Sequence, residues 1–134
     1  VALKGGKVML IPHIHFSGNC AEAIALYEQA FNTKTDILFL NGNGDGSIGH
    51  AEMRIHGIRV MLNDRFGNKE KSTDCAVALI VTIENSEKLL ACYEMLKPGG
   101  IVIDPPERLA YTEIGLQFID RFGVQWGFMM EKTK

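Results

Sequence analysis

The chain has 134 residues, a length that one compact domain accounts for, so two large independent domains or a repeat array fit poorly. Hydrophobic residues make up 46% and charged residues 22%, enough apolar mass for a core and too much for a disordered chain. Fourteen Lys plus Arg against sixteen Asp plus Glu leave a net charge of −2 with no long run of one sign, so neither nucleic acid nor an anionic membrane surface is an expected partner. The longer apolar stretches, such as residues 77–83, fall far short of the ~20 residues that span a bilayer, and no basic segment leads into an apolar one as in a secretory signal. A cytoplasmic location is expected.

Cys20, Cys75 and Cys92 are odd in number and lack the close pairing of a zinc knuckle or a CxxC redox site. They read as free thiols, and Cys20 and Cys92 as small hydrophobes packed on helices. In chain order, residues 8–16 read as a strand. Residues 19–31 then switch to helical spacing, with Ala23, Ile24, Tyr27 and Phe31 on one stripe of the 3.6-residue period. Asn19 is a suitable N-cap, and Glu22 three residues on completes a capping-box pattern. Residues 34–40 are rich in strand formers, and NGNGDG at 41–46 supplies the positive φ of a turn. Two alternating runs, 49–55 and 58–63, flank His56 and Gly57, a two-residue hairpin signal that reads His56 as a turn residue.

The second half repeats this order. Residues 76–83 read as a strand, and 86–96 as a helix capped by Ser86 or Asn85 and stopped by Pro98, Gly99 and Gly100. Residues 101–103 read as a short strand, 104–110 as a Pro-containing loop, and 112–119 with 124–130 as a final hairpin around 120–123. The expected architecture is a single α+β domain over 1–134. It has one βαβββ module at 8–64, a polar linker at 65–75 and a second module at 76–131. A sheet with a helix on one face leaves the other face bare, so two such modules are expected to curl into a half-open mixed β-barrel around a pocket. In the first strand Ile14 and Phe16 should pack under the helix while His13, His15 and Ser17 face the cavity.

The segment PHIHFSGNCAEAIALYEQAF at 12–31 resembles the opening of the PhnB-like branch of the vicinal oxygen chelate superfamily, the group of glyoxalase I, bleomycin-resistance proteins and extradiol dioxygenases. HAEM at 50–53, MLND at 61–64, LKPGG at 96–100 and DRFGVQW at 120–126 extend the likeness over nearly the whole chain. The resemblance implies the glyoxalase/bleomycin resistance/dioxygenase fold and a homodimer with a small-molecule ligand. Members of the branch are also labelled as demethylubiquinone methyltransferase-like, but no glycine-rich nucleotide loop opens a helix here.

Superfamily enzymes hold a divalent ion on four strands and leave open positions for substrate oxygens, so that the cation stabilises an enediolate or activates a bound oxygen. The resemblance places the first ligand at His13, with His15 on the same face, and the second at Glu52, with His50 and Arg54 beside it. The third position falls near Ala78 and the fourth at Gly127, neither of which can bind a metal. A facial set from His13, His15, His50 and Glu52 suits iron, nickel, zinc or manganese. His50 and Glu52 stand about 7 Å apart along a strand, however, and must converge to share an ion. With half the ligands missing, no tightly bound ion is expected, and polar side chains hydrogen-bonded in a wet pocket are the plainer reading.

Ser17, Arg54, Tyr111, Gln125 and Met129 are the expected ligand-binding residues. Trp126, Phe128 and Met130 read as core, and Asp120 and Arg121 as the pair that holds the final turn. Two functions follow. One is a metal-assisted enzyme on a small oxygenated substrate, with Glu52 as ligand or as a general base whose pKa is raised by a partly apolar bowl. The other is a non-enzymatic small-molecule binder, as in the drug-sequestering members, using the same pocket without metal.

Overall fold

The computed structural model describes residues 9–42, 44–65, 77–109 and 112–132. The first half runs β1 (His13–Phe16), α1 (Cys20–Ala30), β2 (Thr35–Leu40), β3 (Ile48–Ile55) and β4 (Ile58–Asp64). The second repeats that order as β5 (Leu79–Thr82), α2 (Ser86–Leu96), β6 (Ile101–Leu109), β7 (Thr112–Ile119) and β8 (Gln125–Glu131). Each half builds a four-stranded sheet, ordered β1-β4-β3-β2 and β5-β8-β7-β6. In each sheet the first and last strands of the module are parallel neighbours, and the other pairs are antiparallel. The expected pair of βαβββ units is therefore present. No ladder joins the two sheets among the described residues, so side chains hold the halves together where a closing barrel would use backbone. Cys75, Tyr111 and residues 66–75 of the expected linker lie outside the described residues. No helix among those described is long and apolar enough to cross a membrane.

The stripe on α1 buries Cys20, Ala23, Ile24 and Tyr27, as its spacing requires. Its N-terminus departs from the expected capping box, because Asn19 makes no side-chain cap. Asp64, at the end of β4, supplies the acceptor: one oxygen takes the N–H groups of Gly18 and Cys20 at 3.0 and 2.9 Å, and the other takes that of Ile48 at 2.9 Å. A carboxylate from across the module thus satisfies donors that a helix start leaves open. On α2 the local signal holds, since the Asn85 side chain accepts from the Lys88 N–H. His56 and Gly57 both have positive φ, as a two-residue hairpin of the primed type needs.

The loop expected at 104–110 is replaced by strand, for β6 continues from Ile101 to Leu109 through Pro105 and Pro106. Proline removes a ladder donor, which only an edge strand tolerates, and β6 is an edge. Register shifts after Val102, Asp104 and Glu107 absorb the irregularity.

One cluster of buried side chains runs through both modules on the helix sides of the sheets. Its centre is aromatic: Tyr27 of α1 lies edge-on to Trp126 of β8, and Phe31 packs on Trp126 and Phe128. Asp120, 2% exposed, sits beneath this cluster. One oxygen accepts the N–H groups of Phe122 and Val124, at 2.9 and 3.0 Å, which closes the β7–β8 turn. The other accepts the Tyr27 hydroxyl and the Trp126 indole N–H, the latter at 2.8 Å, and so ties the first module to the second. Burial, and then the adjacent Asp120 charge, push the Tyr27 pKa well above its ordinary value, so the phenol remains a donor.

Asp120→Ala strands several buried donors and should lower the unfolding free energy by roughly 3–5 kcal/mol, whereas Tyr27→Phe, which removes one hydroxyl, should cost about 1–2 kcal/mol. Urea unfolding of the two variants checks both the size and the order of the losses. The thiols of Cys20 and Cys92 are buried, and burial pushes each pKa up to about 12. Neither should react with a disulfide reagent at pH 8 until the chain is unfolded, as peptide mass mapping of the labelled protein would show.

Candidate functional site

Ladder register sets the candidate site row by row. His13 pairs with Met61, Met61 with Glu52, and Glu52 with Asp36, so these four cross the first sheet in line. Alternation sends Ile14, Phe16, Ala51, Met53, Val60 and Leu62 under α1, and His13, His15, His50, Glu52, Arg59 and Asn63 to the other side. The expected metal set therefore does come together on one face. The imidazoles of His13 and His15 have ring centres 4.3 Å apart, and those of His13 and His50 are 5.9 Å apart. The Phe39 ring stacks on His50 at 6.1 Å.

The face is open, however, and His13 and His15 are exposed. Among the described residues, the cleft that both modules wall, lined by Ile55, Ile58, Val60, Ile80 and Trp126 among others, does not include them. With the helix sides of the sheets taken up by the core, the polar sides are left to solvent.

Glu52 is held by two neighbours. Arg59 donates from Nε and Nη2 to its two oxygens at 2.6 and 2.8 Å, and His50 Nε2 donates to Oε2 at 2.9 Å. The Arg59 hydrogen bonds, followed by that of His50, bring the carboxyl pKa down to about 2. That overturns the raised pKa expected of a general base. At neutral pH Glu52 is ionised and acceptor-only, which fixes the proton of a neutral His50 on Nε2 and leaves Nδ1 as an acceptor. His15 Nδ1 contacts Asn63 Oδ1 at 2.6 Å, so by the same reasoning its Nε2 is the free nitrogen. Burial, and then the nearby His15 and His50, lower the pKa of His13.

These side chains do not fit a tightly held divalent ion as they stand. Both oxygens of Glu52 are engaged, by the Arg59 guanidinium and by His50. Among the described residues no group of three or more His, Cys, Asp and Glu has the arrangement of a metal site. His50 and Glu52 converge on each other.

The second sheet carries the equivalent row: Ile80 pairs with Gly127, Gly127 with Gln117, and Gln117 with Asp104. Ile80 therefore stands in the second sheet where His13 stands in the first, and Gln117 where Glu52 stands, while Gly127 matches Met61; neither Ala78 nor Gly127, where the third and fourth ligands were expected, holds the counterpart of a first-sheet His or Glu. The Ile80 Cδ1 lies 2.5 Å from where a Cβ on Gly127 would stand, so any side chain there would displace it. Ile80, Asp104, Glu107, Gln117, Gly127 and Met129 help line a cleft of about 290 Å³. None of His13, His15, His50 and Glu52 lines that cleft.

The remaining expected ligand residues are divided between the sheets. Ser17 follows β1 in a bend. Arg54 is exposed and bonds the Gly57 carbonyl at 3.1 Å. Met129 lines the cleft on the second sheet, and Gln125 donates to Gln117 at 3.1 Å. Arg59, Asn63 and Phe39 were not among the expected site residues. The sequence does carry a signal for Arg59, since a two-residue hairpin places it opposite Arg54 and diagonal to Glu52.

No protein-family model matches the sequence, and no curated protein matches it. Solved structures do share the fold. Protein PA1353 of Pseudomonas aeruginosa is similar at a TM-score of 0.83 and 21% identity, over 95% of this chain and 100% of that one. The PhnB protein of Bacillus cereus matches at 0.78 and 23% identity, over 90% and 98% of the two chains. The fosfomycin resistance protein FosX of Listeria monocytogenes matches at 0.63 and 13% identity, over 94% and 91%. At these identities the likeness establishes the two-module fold.

An NMR titration of the Glu52 side-chain carboxyl should give a midpoint near 2. The ion pair then contributes fully to stability above the ordinary glutamate range and is lost as pH falls toward 2. Arg59→Gln should return the midpoint toward an ordinary glutamate value; a wild-type midpoint near neutrality would restore the general-base reading.

Proposed function

We propose that this chain is a small-molecule-binding protein of the vicinal oxygen chelate superfamily, PhnB-like branch, acting in the cytoplasm as a homodimer. Its ligand rests on the open face of the first sheet. The observation that carries this reading is the group of exposed His13 and His15 with half-buried His50 beside an ion pair that is already neutralised. Free imidazole nitrogens accept from a ligand hydroxyl, Arg54 offers positive charge at the margin, and the Phe39 ring gives a flat apolar contact. Those are the few placed polar groups and the aromatic surface that an oxygenated small molecule needs. The cleft on the second sheet, with Gln117, Gln125 and Met129, offers a further polar and apolar surface of the same kind.

The proximity of three imidazoles favours one other reading, a metal-assisted enzyme in which Glu52 leaves Arg59 to become a ligand. A thermal-shift panel on protein made without a histidine tag separates the two, using small oxygenated compounds and, in parallel, manganese, iron, nickel and zinc. Binding predicts that a compound present at 100 times its Kd adds about 2.7 kcal/mol of stability, a rise of several degrees in Tm. The rise should disappear in His13→Ala and His50→Ala, and the metals should leave the wild-type Tm unchanged. Stoichiometric metal in the purified protein that is absent from Glu52→Ala would replace binding with metal-assisted catalysis.

A further inference from the structure

The cleft on the second sheet carries one sign of charge. Asp104 and Glu107 of β6 line it, and among the described residues no Lys, Arg or His does. Arg108, the cation of β6, is paired with Glu113 at 3.7 Å. Ladder register lays the cleft out in two rows, Asp104, Gln117, Gly127 and Ile80 in one, and Glu107, Gly115 and Met129 in the other. Each row runs from a carboxylate on β6 to an apolar side chain on β5 or β8. Gly115 and Gly127 add no side chain between them, which leaves room for the hollow of about 290 Å³.

The Gln117 amide is oriented within it. Its carbonyl oxygen accepts from Gln125 at 3.1 Å, and its nitrogen donates to Asp104 at 3.5 Å. A carboxylate offers about four acceptor sites, so this contact leaves Asp104 free to accept more. Thr112 supplies an independent observation. It is 0% exposed and lines the cleft, yet its hydroxyl oxygen has no hydrogen-bond partner among the described residues. A buried polar atom left unpaired is rare and costly, so this oxygen points to a donor that a ligand brings. A primary ammonium answers all three groups, because it has positive charge, three donors and no acceptor. A quaternary ammonium has the charge without the donors, and an alcohol lacks the charge.

We infer that the second-sheet cleft binds a small primary amine, its ammonium held by Asp104, Glu107 and Thr112 and its hydrocarbon part lying on Ile80 and Met129. This adds a site and a ligand class to the proposed function without resting on it, since neither the histidine face nor a second copy takes part. NMR titration of the isotope-labelled protein with n-hexylamine at neutral pH should saturate, with the largest amide shifts in β6, β7 and β8. Hexan-1-ol and hexyltrimethylammonium should each bind at least tenfold more weakly. Asp104→Asn and Glu107→Gln, both at exposed positions, should each weaken hexylamine about tenfold. Thr112→Val, which exchanges the orphaned hydroxyl for a methyl, should weaken it about fivefold without lowering Tm. Absence of saturable binding, equal affinity for the quaternary ammonium, shifts that fall on β1 to β4, or carboxylate variants that bind as the wild type does would each overturn the assignment.

Discussion

The buried carboxylate of Asp120 joins what the backbone leaves apart. Among the described residues the two halves share no ladder, yet Asp120 accepts from Tyr27 in one and from Trp126 and its own turn in the other. A buried charge persists only where donors surround it, so the aromatic ring cluster and the carboxylate depend on each other. Uniting the helix sides of the two sheets in this way spends the apolar face of each. It leaves the two polar faces to do whatever the protein does.

Those faces have diverged although their frames have not. Across the first sheet the central row reads His13, Met61, Glu52, Asp36, and across the second Ile80, Gly127, Gln117, Asp104. The acidic outer position is common to both, while an isoleucine stands in the second where the imidazole stands in the first, and an amide where the glutamate stands. Ile80 lies close over Gly127 on the second face, whose cleft carries Asp104, Glu107 and Gln117 but no imidazole. On the first face the glutamate is locked by Arg59, which makes the imidazoles, and not the carboxylate, the groups free to meet a ligand.

Much of this was legible from local pattern. The 3.6-residue stripe on α1, the hairpin at His56 and Gly57, and the repeated element order all record short-range rules. The rest required partners distant in the chain. Asp64 caps α1 from 44 residues away, where the local signal pointed to Asn19 and Glu22. Pro105 and Pro106 signal a loop until β6 is known to be an edge. The raised pKa expected for Glu52 failed because Arg59 lies across a hairpin, and Arg54, nearer in sequence, turns instead to the Gly57 carbonyl.

Amide hydrogen exchange measures the union of the halves most directly. If Asp120 and the aromatic cluster make them one cooperative unit, the slowest amides of the β3–β4 hairpin and of the β7–β8 hairpin should open with the same free energy, equal to that of global unfolding. If one hairpin keeps its protection while the other exchanges through a cheaper opening, the halves fold separately and the carboxylate does not join them.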